Sequence, residues 1–175
     1  MRKVIPILLL ICLGCLKTPN NYKKKIIDDT HVSDTIRFKK LPKIGDRISD
    51  SVIQTSKNIH LLVSSAQTYP STSIYFQECI FDIGFEKFDP ENRILGGKVK
   101  YIQTRDSNFR TSEGVKINMT LKELKHIQDN KIIKEPGWAY YMELNSGWKV
   151  AFFVDETSTG RELLDSDSIK WIFNR

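Results

Sequence analysis

The sequence is poor in the groups that carry chemistry. It contains no G-x-S-x-G elbow, no P-loop and no H-E-x-x-H, the usual marks of α/β-hydrolases, nucleotide-binding loops and zinc proteases. Its three histidines, His31, His60 and His126, are scattered without metal-ligand spacing, so neither a metal nor a cofactor is expected. Gly96-Gly97 lacks the pattern that follows in phosphate-binding loops and reads as a turn. Only one stretch, Val4–Leu13, is apolar enough to meet a membrane, which excludes a multi-span transporter. An excess of one charge is also missing. The 27 basic and 21 acidic residues leave a net charge of +6, too slight for a dedicated nucleic-acid binder. At 175 residues the chain is too short for a TIM barrel or a two-domain dehydrogenase. Low-complexity segments and clear repeats are absent from its second part, and 40% hydrophobic residues exclude a wholly disordered protein.

What is present begins with an address. Arg2 and Lys3 form a basic start, Val4–Leu13 an apolar run of about ten residues, and the polar stretch Lys17-Thr18-Pro19-Asn20-Asn21 follows. A spanning helix needs about 20 apolar residues, so residues 1–14 read as a secretory signal. The junction Gly14-Cys15 resembles the lipobox of bacterial lipoproteins. That resemblance implies cleavage before Cys15, a diacylglycerol on its thiol, and two or three fatty-acyl chains of the palmitate class on the residue as a whole. Cys12 stands where the lipobox usually has Leu, and Ile11 before it makes Cys12 the poorer lipid acceptor. The same layout also fits an ordinary secretory cleavage site or an uncleaved anchor. Leu16-Lys17-Thr18-Pro19 holds no acidic residue. Acids there would resemble a surface-export signal, so a domain facing the periplasm is expected, on either the inner or the outer membrane. Cleavage would remove Arg2 and Lys3 and leave a charge of +4.

Residues 15–40 are rich in Lys, Asp, Asn and Thr and read as a flexible tether. Lys23-Lys24-Lys25 would attract anionic headgroups, but Asp28 and Asp29 follow at once, so solvation is the expected state.

Residues 41–175 suffice for one ordinary core. Alternation predicts strands with Phe81, Ile83 and Phe85 on one face, Val99 with Tyr101, Trp138 with Tyr140, Met142 and Leu144, and Trp148 with Val150, Phe152 and Val154. Asn145-Ser146-Gly147 makes a hairpin loop between the last two. Ile169, Trp171 and Phe173 form a final strand, and residues 88–97 a turn region. Thr120-Leu121-Lys122-Glu123 is a capping box opening a helix that ends near Asp129-Asn130. A second helix is expected over residues 49–58, while residues 59–64 fit helix or strand equally. The expected fold class is α+β: a mainly antiparallel sheet with one or two short helices packed on one face.

Catalytic residues are not assigned. Cleavage and lipidation would leave Cys79 as the sole thiol, excluding a disulfide. Its parity with Phe81 predicts a buried small hydrophobe rather than a nucleophile served by His60. Asp155, Glu156, Asp165 and Asp167 are the acids that a glycan-acting enzyme would use, in a loop over residues 155–168 otherwise read as polar and solvated. Tyr141 and Phe153 oppose the parity of the core-facing sets and are the candidate interaction surface, unless a helix or the N-terminal segment covers that face.

The stretch Phe109–Leu124 resembles a segment of uncharacterised Gram-negative lipoproteins, in which a Thr-x-x-Gly turn leads through a short strand and a corner into a capped helix. After Gly114 the chain is similar in outline to small accessory lipoproteins of outer-membrane protein assembly. It differs in Asn118-Met119 at the corner and in having more strands. These likenesses imply an envelope role. The anchor, the tether and a strand-rich domain without catalytic groups make the leading expectation a non-enzymatic envelope lipoprotein that meets the membrane through its lipid and binds another envelope protein, with no nucleic acid. An inhibitor or immunity lipoprotein against an envelope toxin or hydrolase, a glycan-acting enzyme and a small-ligand binder are the other readings.

Overall fold

The computed structural model describes residues 36–49, 59–86, 97–154 and 159–175. Within them lie β1 (Ile36–Arg37), β2 (Arg47–Ile48), β3 (Ile59–Ser64), β4 (Gln67–Phe76), β5 (Cys79–Glu86) and β6 (Gly97–Thr104). The helix α1 (Leu121–Ile127) follows, then β7 (Ile132–Glu135), β8 (Ala139–Glu143), β9 (Lys149–Phe152) and β10 (Ile169–Asn174). The strands form one sheet in the order β1-β4-β5-β6-β10-β9-β8-β7, with β3 beside β4 and β2 beside β6. All pairs are antiparallel except β1 with β4. The sheet curls into a half-barrel.

The α+β expectation is therefore corrected to a mainly-β fold. Half of the described residues are in strands or bridges and only 6% are helical. The seven residues of α1 make barely two turns, too short to form a layer over the sheet. Residues 59–64 are strand β3, and the helix expected over 49–58 falls almost wholly outside the described residues, as does most of the 88–97 turn. The described end of the expected tether joins the sheet. Ile36 and Arg37 pair with Ile74 and Tyr75 of β4, and Phe38 and Leu41 pack on the core.

One face of the sheet carries the aliphatic core. Phe81, Ile83 and Phe85 are buried there as alternation requires, and Cys79 joins them. Tyr140, Met142, Val150 and Phe152 continue that face toward β7, with Leu121 and Leu124 of α1 packed on it. Gly147, at φ +84°, closes the β8–β9 hairpin in a left-handed conformation that a side chain would strain. Gly97 is required by space instead, since a Cβ there would stand 2.5 Å from the Phe85 ring.

Besides a register shift between Leu62 and Ser64 in β3, bulges in β6 and β10 break the alternation. Phe85 pairs with Val99 but Gly84 pairs with Tyr101, so Lys100 is an extra residue in β6. Phe152 pairs with Ile169 but Ala151 pairs with Trp171, so Lys170 is an extra residue in β10. Each extra residue turns the following side chains to the opposite face. Tyr101, Trp171 and Phe173 consequently leave the face of Val99 and Ile169. With Trp138, which sits in the β7–β8 turn, they build a second core on the other face. The expected groupings of Val99 with Tyr101, Ile169 with Trp171 and Phe173, and Trp138 with Tyr140 are corrected accordingly.

Every orphan N–H at the start of α1 has an acceptor. Leu121 and Lys122 donate to the carbonyls of Asp167 and Asp165, Glu123 donates to Thr120 Oγ1, and Leu124 to the Thr120 carbonyl. The Glu123 carboxylate accepts from the Thr120 N–H at 2.7 Å, completing the box. The helix stops at Ile127, slightly earlier than expected, with Gln128 as extended C-cap. Thr120→Ala is expected to cost about 1 kcal/mol, a drop in Tm of roughly 2–4 °C by calorimetry.

Candidate binding face

The face opposite the aliphatic core holds the polar and aromatic side chains of interest. A hydrogen-bonded chain crosses four strands. Trp171 Nε1 donates to the Tyr101 hydroxyl at 3.1 Å, and that hydroxyl donates to Gln103 Oε1 at 3.3 Å. Gln103 Nε2 donates to Asp82 Oδ2 at 3.2 Å, and Ser73 Oγ donates to Asp82 Oδ1 at 2.7 Å. Indole N–H is donor only, so the direction of every proton follows along the chain. Burial pushes the Tyr101 phenol well above its ordinary range, which keeps it a neutral donor. A network satisfied in this way rigidifies the face.

Beside it, the Arg175 guanidinium lies 4.6 Å from the Trp138 ring centroid and 5.3 Å from that of Tyr141. Its Nη2 pairs with Glu135 at 2.7 Å and its Nη1 donates to the Val63 carbonyl at 2.6 Å. Trp138 Nε1 donates to the Leu62 carbonyl, and the Ser65 N–H donates to Glu135 Oε1. The tip of the β3–β4 hairpin is thus tied to the β7–β8 turn. Among the described residues, this hairpin covers that part of the face.

Tyr141 and Phe153 both belong to this face, but the structure separates their situations. Tyr141 is half-buried, with ring centroids 6.0 Å from Trp138 and 5.8 Å from Phe173. Phe153, just beyond β9, is 44% exposed, a large value for a phenyl ring. It borders a cleft of about 380 Å³ with Arg105, Lys170 and Trp171. The bulge at Lys170 is what brings Lys170 and Trp171 to the same cleft. Arg105 is exposed and stands over the Trp171 ring at 5.7 Å. Arg105 and Lys170 had no distinguishing mark in the sequence. The contiguous apolar pairs Tyr101-Ile102 and Trp171-Ile172 were the available signal that both faces are covered there. Cys15 lies outside the described residues.

A second cavity, of about 470 Å³, is lined by Leu41–Ile44, Ile102, Trp148, Asn174 and Arg175. Neither cavity is lined by α1, so neither is the helix–sheet pocket that a small-ligand module would use.

Two of the four acids considered for glycan chemistry, Asp165 and Asp167, are engaged in structure. Asp165 pairs with Lys125 at 2.9 Å. Asp167 accepts from both terminal nitrogens of Arg161, at 2.8 and 2.5 Å, and from the Leu164 N–H. The Arg161 hydrogen bonds hold its carboxyl below the ordinary aspartate range. Asp155 and Glu156 lie outside the described residues. Residues 159–168 are exposed or half-buried, as a solvated loop would be, and also cap α1 through the carbonyls of Asp165 and Asp167. A depressed carboxyl pKa stabilises the fold above the unfolded value and is lost as pH falls through the folded one. Stability is therefore expected to fall below about pH 4. Asp167→Asn should flatten that fall in urea titrations across this range, and an unchanged slope would remove Asp167 as its source.

His60 and His126 are exposed, and burial pushes the Cys79 thiol upward, aided by Asp106 and Glu78. Among the described residues no group of three His, Cys, Asp or Glu side chains is placed to hold a metal ion, and no helix is long and apolar enough to cross a membrane. No protein-family model matches the chain, and neither the curated proteins nor the solved structures searched include a match.

Proposed function

We propose that this chain is a lipid-anchored lipoprotein of the bacterial cell envelope whose β domain binds another envelope protein. The observation that carries the binding part is Phe153, an exposed aromatic ring at a cleft rimmed by Arg105 and Lys170 and backed by a rigid network. Aromatic and Arg side chains dominate the energetics of protein interfaces, and a rigid support lowers the cost of ordering them. The anchor part rests on the layout of residues 1–15, with Cys15 carrying the lipid and the domain facing the periplasm. At about 0.8 kcal/mol per buried methylene, two or three chains hold the protein on the membrane effectively permanently.

Cys15→Ala is expected to move the protein from the membrane fraction to the soluble one, and a mutant that still pellets would remove the lipid assignment. Full-length protein extracted in mild detergent should elute with a second envelope protein. Elution as a monomer from extracts that preserve other membrane complexes would count against protein binding. The same exposed aromatic and basic anchors also fit an immunity lipoprotein with one tight partner. That second reading requires that deletion sensitise cells to neighbouring strains.

A further inference from the structure

We propose that the cleft of Arg105, Phe153, Lys170 and Trp171 takes an acidic segment of the partner protein, a carboxylate meeting the two cations and an apolar side chain covering Phe153. This rests on the protein-binding reading and adds the partner's chemistry.

Charge is the first argument. Six basic side chains of the described residues are ion-paired: Lys100, Lys125, Lys134, Lys149, Arg161 and Arg175. Arg105 forms no ion pair among the described residues and stands over the Trp171 ring. Stacking uses the flat face of a guanidinium and leaves its in-plane N–H donors for a carboxylate. Lys170 donates to Ser168 Oγ at 3.1 Å, which occupies one of three ammonium protons. Asp167 is near enough for the two charges to interact, but it forms no direct ion pair with Lys170, and its oxygens are engaged by Arg161 and the Leu164 N–H.

Shape is the second argument. Trp171 is 6% exposed and turns its N–H inward to Tyr101, so the indole offers the cleft an apolar surface and no donor. An uncharged apolar occupant would bury Arg105 and Lys170 without a counter-charge, which is costly. A lone phosphate or lipid headgroup would satisfy the cations and leave Phe153 uncovered. A peptide carrying an acid next to an apolar residue uses both halves of the cleft. The cleft volume, about 380 Å³, admits a few side chains and not a folded domain.

The test is in-cell photocrosslinking of the full-length chain. A photoreactive amino acid replaces Phe153 in one strain, exposed Leu62 in a second and exposed Lys122 in a third. Position 153 should give a protein adduct whose crosslinked peptide is acidic. Arg105→Gln and Lys170→Gln should each lower its yield by about tenfold, while Arg105→Lys retains it in part. Unchanged Tm values for these exposed-site variants separate loss of binding from loss of fold. A protein adduct at 62 or 122 but none at 153 would leave the protein-binding reading standing and remove the cleft. No protein adduct at any position would remove both. A 153 adduct to lipid, to a basic peptide or to residues 155–158 of the same chain would overturn the acidic-partner assignment.

Discussion

Phe81→Ala is expected to lower the unfolding free energy by about 3–5 kcal/mol, the largest loss of any single truncation proposed for this chain. Phe81, the third residue of β5, is 1% exposed. Its ring meets Phe109 edge-on at 5.2 Å and faces Phe76 and Trp148 at 6.4 Å each. Phe109 and Trp148 also pack against the core under β8–β10, so Phe81 joins the two halves of that face. Removing it leaves a cavity bounded by the rings of Phe76, Phe109 and Trp148. The loss corresponds to a Tm drop of roughly 10 °C, read by calorimetry. Phe153→Ala is the contrast: an exposed ring should change stability by no more than about 0.5 kcal/mol. A comparable loss at both positions would contradict the assignment of Phe81 to the core and Phe153 to the surface.

Arg175→Ala should be nearly as damaging, at about 2–4 kcal/mol. The guanidinium is only 25% exposed and its partner Glu135 22%. Burial opposes the charge, yet the hydrogen bonds to Glu135 and Tyr141 outweigh it and raise the Arg175 pKa further above its ordinary value. Truncation strands the Glu135 carboxylate, frees the Val63 carbonyl and removes the cation from the rings of Trp138, Tyr141 and Phe173. Arg175→Lys keeps the charge but loses the planar fork, so an intermediate loss is expected in urea unfolding. The β3–β4 hairpin should also exchange its amide hydrogens faster in Arg175→Ala, since this side chain ties its tip to the β7–β8 turn. Unchanged protection of residues 62–65 would assign the loss to something other than that tie.

Local signals in the sequence were legible where a single rule governs them. The capping box at Thr120 and Glu123, the Asn145-Ser146-Gly147 hairpin and the face of Phe81, Ile83 and Phe85 all stand where short-range chemistry places them. The fold class is not legible locally, because α1 is too short to form a layer and the curl of the sheet into a half-barrel has no local signature. The second core was misread at Lys100 and Lys170. A bulge adds one residue, and parity carried through it assigns Tyr101, Trp171 and Phe173 to the wrong side. Of the proposed surface pair, parity alone could not tell a ring held by Arg175, Tyr141, from one left exposed, Phe153. Arg105 and Lys170 acquire meaning only through the three-dimensional neighbourhood of Trp171.

Whole cells carrying tagged full-length protein, crosslinked and then purified in detergent beside the Cys15→Ala form, give the most direct measurement of the proposed role. The expected result is one dominant envelope protein with the full-length chain and its loss from the Cys15→Ala sample. Recovery of the chain alone from both samples would contradict a membrane-localised interaction protein.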